Sequence, residues 1–190
     1  MNDGKKKPVA KMDGSRRLLL GATSVLGGIS AVGATAPFIV GMRPSCKTQA
    51  EGGPIKVEIK DILPGRLGVH VWRLKPIWIL RRNNEMLENV RAATSELGDP
   101  KSAKSMQPAY CKNETRSIKP DVFVAVGLCT HLGCSPRPNQ GDGFLCACHG
   151  SRFDFAGRSF KGSPAPLNLI IPPHHYADDN TIVIGEDPPA

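Results

Sequence analysis

Two short stretches decide how this chain is read: Cys129-Thr130-His131-Leu132-Gly133-Cys134 and Cys146-Ala147-Cys148-His149-Gly150-Ser151. Counted from Cys129 the first is C-x-H, and counted from Cys146 the second is C-x-x-H. Each supplies one further cysteine, so four of the six cysteines fall within twenty residues. Thiolate and imidazole together suit a thiophilic metal, and zinc held by two Cys and two His, or by four Cys, is one reading of these residues. The mixed site leaves two cysteines over, and an extracytoplasmic compartment favours disulfides over free thiols.

Outward from the two loops, the patterning predicts β-structure. Val122-Phe123-Val124-Ala125-Val126 reads as a strand leading into the first loop. Upstream, Ile55 to Ile59 alternates apolar and polar, Leu67 to Trp72 does so more loosely, and Pro64-Gly65 marks a turn between them. Pro76 to Leu80 is a short apolar run ahead of Arg81-Arg82, and Thr181 to Ile184 closes the domain. One soluble helix is expected over 83–97, with Asn84 as N-cap and Met86, Leu87 and Val90 at helical spacing. The stretch 101–119 is polar and is expected to be irregular. Twenty glycines and seventeen prolines without a three-residue period exclude collagen and fit a loop-rich, mainly antiparallel β fold. A chain that is 40% hydrophobic and 22% charged is not disordered throughout.

The formal charge of +8 suggests a nucleic-acid binder until its distribution is examined. Residues 1–50 hold eight Lys/Arg against two Asp, whereas residues 51–190 hold 17 basic against 15 acidic side chains. The excess belongs to a basic N-terminus with Lys5, Lys6, Lys7, Lys11, Arg16 and Arg17, and no nucleic-acid partner is expected. Leu18 to Met42 then runs 25 residues without a charge, about 37 Å as a helix and enough to cross a bilayer with some tilt. Its glycines permit close contact with partner helices in lipid. The positive-inside rule puts the N-terminus in the cytoplasm and the remainder outside. Ser15-Arg16-Arg17-Leu18-Leu19-Leu20 is similar to a twin-arginine export motif. A small-x-small pattern at Ala34-Thr35-Ala36 is followed by Pro37, which obstructs cleavage, so an uncleaved anchor is favoured over a removed signal. The expected organisation is a basic cytoplasmic N-terminus (1–17), a transmembrane helix (18–42), a Gly/Pro hinge linker (43–54) and a periplasmic domain (55–190).

C-T-H-L-G-C followed by C-x-C-H-G-S resembles the Rieske iron–sulfur proteins, in which two His replace two Cys on one iron of a [2Fe-2S] cluster. The resemblance extends to Gly162-Ser163-Pro164-Ala165-Pro166, to Val71-Trp72-Arg73 through Arg82, and to the N-terminal anchor. It is strongest to the branch serving bacterial quinol–cytochrome c reductases, the cytochrome bc complexes. It implies a Rieske-type antiparallel β domain with a cluster-binding subdomain (loops within 127–166), preceded by one transmembrane helix in the bacterial inner membrane. It also implies one [2Fe-2S] cluster per chain, with Cys129 and Cys146 on the buried iron, His131 and His149 on the outer one, and a Cys134–Cys148 disulfide. In that family the histidine matching His149 hydrogen-bonds quinol and takes its proton, and His131 is the second exposed ligand. Leu132 matches a shielding residue, and Ser151 matches a serine whose hydroxyl donates to a cluster sulfur. The implied activity is quinol–cytochrome c reductase, with a cytochrome b subunit and a c-type cytochrome as partners. Phe153 stands where high-potential members carry Tyr, and the missing hydroxyl predicts a lower potential.

The competing readings are a Rieske subunit of another periplasmic enzyme such as an arsenite oxidase, an oxygenase-type ferredoxin, and a zinc-stabilised interaction domain. Of the remaining residues, His70 reads as structural, His174-His175 as a surface loop after Pro172-Pro173, and Trp72 and Trp78 as core or edge aromatics. Arg137, Arg152, Arg158 and Lys161 read as solvated charge, and Cys46 and Cys111 have no assigned partner.

Overall fold

The computed structural model describes residues 13–43, 52–139 and 141–189. The chain forms two compact units, Met1–Gln49 and Ala50–Ala190. Lys5, Lys6, Lys7, Lys11, Cys46 and most of the expected linker lie outside the described residues.

In the first unit, helix α1 spans Gly14–Gly41. It starts four residues before the charge-free run and takes Arg16 and Arg17 into its first turn. The exposed side chains of α1 include Leu18, Val25, Leu26, Ile29, Val32 and Phe38. Its threonines cap themselves: Thr23 Oγ1 donates to Leu19 O at 2.9 Å and Thr35 Oγ1 to Ala31 O at 2.8 Å. With both threonine hydroxyls satisfied internally, these two side chains add little polarity to the apolar surface of the helix. It has the length and composition of a single membrane span.

The second unit is built from three antiparallel sheets of three strands each, among the described residues. One sheet joins β1 (Ile55–Glu58), β9 (Thr181–Ile184) and β8 (His174–Asp178) in the order β1-β9-β8. Ile55 pairs with Ile184 and Val57 with Ile182, so the two ends of the domain are neighbours. The second sheet is β2 (Leu67–Trp72), β3 (Lys75–Arg81) and β4 (Val122–Val126). The third is small: β5 (Arg137–Asn139), β6 (Gly143–Cys146) and β7 (Ser151–Phe153).

Strand β3 explains the architecture. Ile77, Trp78, Ile79 and Leu80 are all buried because successive side chains point to opposite faces and both faces are covered. Ile77 and Ile79 pack with Val57, Ile182 and Ile184, while Trp78 and Leu80 pack with Phe123, Phe144, Phe153, Cys129 and Cys146. Burying each of these large apolar side chains is worth roughly 1.5–3 kcal/mol, and β3 serves both cores at once.

Helix α2 spans Asn84–Ala92 and continues as a 3-10 turn over Ala93–Glu96. Its cap is Asn83 rather than Asn84: the Asn83 side chain accepts from Met86 N at 2.9 Å. Asn83 is the residue with extended backbone, and only such a residue can turn its carbonyl oxygen onto the first free N–H groups. The expectation of a surface loop at His174-His175 is also corrected. Both lie in β8, and His174 is buried, its Nδ1 2.9 Å from Pro172 O and its backbone N–H donating to the Tyr110 hydroxyl at 3.0 Å.

Just before β1, Gly53 O accepts from Trp72 Nε1 at 2.8 Å and Gly52 O from Arg73 Nε at 2.9 Å. Gly185, at φ +112°, leaves space for the Trp72 indole that a β-carbon would occupy.

Candidate metal centre

The two Cys/His loops leave the second and third sheets side by side. Cys129 follows β4, Cys146 ends β6, and Ser151 opens β7. The loops share a backbone device. Gly133 N donates to Cys129 O and Gly150 N to Cys146 O, both at 2.9 Å. Each glycine comes four residues after its cysteine and sits in the left-handed region, at φ +79° and +78°. A residue with a β-carbon would be strained there, so glycine at this offset closes each loop. Cys134 and Cys148 join the loops by a disulfide, with Cα atoms 6.7 Å apart.

Cys129 and Cys146 are buried at the loop bases, while His131 is half-buried and His149 exposed. The two imidazoles meet edge to face with centroids 4.7 Å apart. Burial pushes the Cys146 thiol upward, and the neighbouring Cys129 adds to this. The backbone N–H groups of Cys148 and His149 oppose it, because they donate to the sulfur and favour a thiolate. The sulfurs of Cys134, Cys146 and Cys148 lie within 4.8 Å of one another. Two of them are spent in the disulfide, which leaves Cys146 as the thiol of that trio.

Several buried polar atoms of the domain have no partner in the protein, and two of them belong to these loops. His131 Nδ1 and Ser151 Oγ are both buried and unpaired. Since buried polar atoms are nearly always satisfied, two orphans beside a pair of buried thiols fit a metal centre taking nitrogen and sulfur donors and accepting a hydroxyl hydrogen bond. Leu132 stands beside the imidazoles in sequence and is 71% exposed. The Pro-containing loop is tied in as well: Thr130 Oγ1 donates to Leu167 O and Ser159 Oγ to Ala165 O.

Arg158 is corrected from solvated charge to buried charge. Its guanidinium pairs with Asp154 at 2.7 Å, both side chains being almost wholly inaccessible. Arg116, in the segment read as polar and irregular, is likewise buried and was missed. The D-x-x-x-R spacing of Asp154 and Arg158 was the available signal for the first, whereas nothing local marks the second. Arg137, Arg152 and Lys161 are exposed, and Cys111 is a buried free thiol pushed up to about 11 by its burial.

Two clasped loops, with thiols at their bases and imidazoles at their tip, offer a metal centre mixed thiolate and imidazole donors. Residues 90–173 match the family model described as Rieske [2Fe-2S] domain. The chain is 50% identical over 183 residues to the ubiquinol-cytochrome c reductase iron-sulfur subunit of Allochromatium vinosum, covering 90% of this chain and 88% of that one. It is 38% identical over 173 residues to the subunit of the same name from Bradyrhizobium diazoefficiens, covering 90% and 93%. A chain of a solved structure described as Hyperthermophilic respiratory Complex III aligns over 87% of this chain and 98% of its own, at 26% identity and a TM-score of 0.48. The chain belongs to the family of Rieske iron–sulfur subunits of ubiquinol-cytochrome c reductase, with a [2Fe-2S] cluster as cofactor and electron transfer as its role.

Proposed function

We propose that Cys129 and Cys146 hold the inner iron of the cluster and His131 and His149 the outer one, and that the tip so formed oxidises quinol. When bound, the cluster takes up one electron at a time. The chain's own residues do the rest. Cys129 and Cys146 exclude water from the inner side, and the Cys134–Cys148 bridge holds the two loops in register. His149, exposed at the tip, carries a ring nitrogen that accepts a hydrogen bond and then the proton from the quinol hydroxyl, with His131 as the second outward imidazole. Leu132 covers the approach to the imidazoles, and the Ser151 hydroxyl donates toward the cluster.

The observation that carries this reading is the pair of orphaned buried atoms, His131 Nδ1 and Ser151 Oγ, on the two loops that bear the buried Cys129 and Cys146. The names of the relatives support ubiquinol as the electron source and cytochrome c as the eventual acceptor, and a cytochrome b subunit and a c-type cytochrome subunit of one complex as partners belong to the same reading. The electron passes to the c-type cytochrome. The basic residues ahead of α1 support a cytoplasmic N-terminus and a periplasmic cluster domain in a bacterial inner membrane. Arg16-Arg17 in the first turn of α1 supports export by the twin-arginine route. The boundaries at 17, 42 and 54, with 43–54 as hinge, belong to the same reading.

The test is electron paramagnetic resonance of the dithionite-reduced chain, together with purification of its complex. A rhombic signal with average g below the free-electron value, copurifying b- and c-type haem, and quinol:cytochrome c activity are expected. A silent spectrum, or a rhombic signal without haem partners, overturns the assignment. Ser substitution at Cys129 or Cys146 is expected to abolish the signal.

A further inference from the structure

Among the described residues of the domain, three guanidinium groups are buried, those of Arg82, Arg116 and Arg158, together with one carboxylate, Asp154. Asp154 is consumed by Arg158. Its Oδ1 accepts from the backbone N–H groups of Ala156 at 3.0 Å and Arg158 at 2.7 Å. Its Oδ2 accepts from Arg158 Nε at 2.7 Å and lies 2.7 Å from Nη2. Four donors on two oxygens leave no place for an acid proton, so the pair is a carboxylate and a guanidinium that neutralise each other.

Arg116 has no such partner. Its Nη1 donates to Ala156 O at 3.0 Å and Gly157 O at 3.3 Å, its Nη2 to Leu169 O at 2.8 Å, and its Nε to Gln107 Oε1 at 2.8 Å. All four acceptors are neutral. Burial pulls the group down to about 10, which still leaves it charged at neutral pH. Its backbone lies at φ +51°, a region costly for a residue with a β-carbon. Beside it, the Gln107 Nε2 is buried without a partner. A carboxylate at position 107 would pair with Arg116 and remove that orphan, yet the chain carries the amide. A buried charge, a strained backbone and an unsatisfied donor thus meet at one residue, and no ion pair offsets them.

The place where they meet is fastened to the same packed core as the centre. Ala156 and Leu169, which Arg116 holds by their carbonyls, belong with Cys129, Cys146 and Phe153 to one continuous packed cluster. Asp154 follows Ser151 by three residues, roughly 10 Å of extended chain. The guanidinium is thus anchored to the packed core that also holds the thiols, and charge is poorly screened through a packed interior.

We propose that Arg116 tunes the electron-transfer step: its unpaired buried charge raises the midpoint potential of the centre held by Cys129, His131, Cys146 and His149, and Gln107 keeps that charge unpaired. This rests on the ligand assignment given under the proposed function. Reduction adds one electron from quinol and makes the centre more negative by one charge, so a fixed cation nearby favours the reduced form. Arg116 therefore offsets the absence of a hydroxyl at Phe153, since both a nearby cation and a hydroxyl donor favour the reduced form.

The experiment uses the full chain in its assembled complex, with the variants Gln107→Glu, Arg116→Gln and Arg116→Lys. The reduced signal is titrated against ambient potential with mediators, and thermal melting is recorded alongside. Gln107→Glu keeps the side-chain size and every donor of Arg116, so it is expected to melt no lower than the parent while its midpoint potential falls. At the potential that half-reduces the parent, its reduced fraction is expected to drop several-fold. Arg116→Gln should shift the same way, and Arg116→Lys should stay near the parent. A Gln107→Glu chain that titrates with the parent overturns the proposal. So does an Arg116→Lys chain that falls as far as Arg116→Gln, which would mark hydrogen-bond geometry as the cause. Absence of the rhombic signal from the parent itself would instead sink the ligand assignment on which the proposal rests.

Discussion

Phe153 is wholly buried and belongs to the same cluster as Cys129 and Cys146, so a hydroxyl added to its ring would lie in the packed core that holds the cysteine sulfurs rather than in solvent. A hydrogen bond donated to a ligand sulfur offsets the negative charge gained on reduction. Phe153→Tyr is therefore expected to raise the midpoint potential, read by redox titration of the reduced signal; an unchanged or lower value refutes this. His174 offers a test at the same scale, on stability. Burial holds its native pKa below 6.5, so the unfolded chain binds more protons than the native one as pH falls through that value. The stability His174 contributes is complete above 6.5 and declines below it, by at most about 1.4 kcal/mol per pH unit. Urea unfolding at pH 5 and pH 7 should show a steeper loss in the parent than in His174→Gln.

The β2–β3 hairpin turns on Arg73 and Leu74, at φ +49° and +60°, between the paired residues Trp72 and Lys75. Two successive left-handed residues make the tight hairpin turn that asparagine and glycine usually supply. Leu74 is 88% exposed and packs against nothing that would repay the strain. Leu74→Gly is expected to stabilise the domain by about 1 kcal/mol in chemical denaturation, without altering the spectrum of the centre.

Such turns also show what a sequence discloses. Strands β3 and β4 are plain in it because an apolar run needs no partner to be recognised, and the Cys/His loops are plain because cysteines so closely spaced in one chain have few uses. Glycines at equal offsets from Cys129 and Cys146 make even the shared loop backbone readable. Strand β5 is not, since Arg137-Pro138-Asn139 carries no apolar side chain and is extended only because β6 pairs with it. His174 and Arg158 mislead for a related reason. Their burial is created by Tyr110 and by Val90 O, which lie far away in sequence. A polar residue in a Gly/Pro-rich stretch gives no local sign that a remote group has come to cover it.

At the scale of the whole molecule, the hinge reading predicts that replacing part of 43–54 with a rigid run of prolines lowers steady-state quinol:cytochrome c turnover, with cluster content unchanged. Undiminished turnover would count against it. The two cores suggest a further outcome. One, formed by β1, β9 and the Ile77/Ile79 face of β3, contains none of the proposed metal ligands. The other contains Cys129 and Cys146. After chelation, hydrogen exchange is expected to remain slow across Ile77–Leu80 and Thr181–Ile184 and to become fast over residues 129–151; uniform loss of protection would refute the division.

Because β3 belongs to both cores, the half that needs no metal presents the other half with one finished wall. Iron and sulfide then meet a partly formed mould instead of a loose chain. On the division that the exchange measurement tests, maturation of the carrier is an act of completion, in which a standing first core allows the same chain to be loaded again.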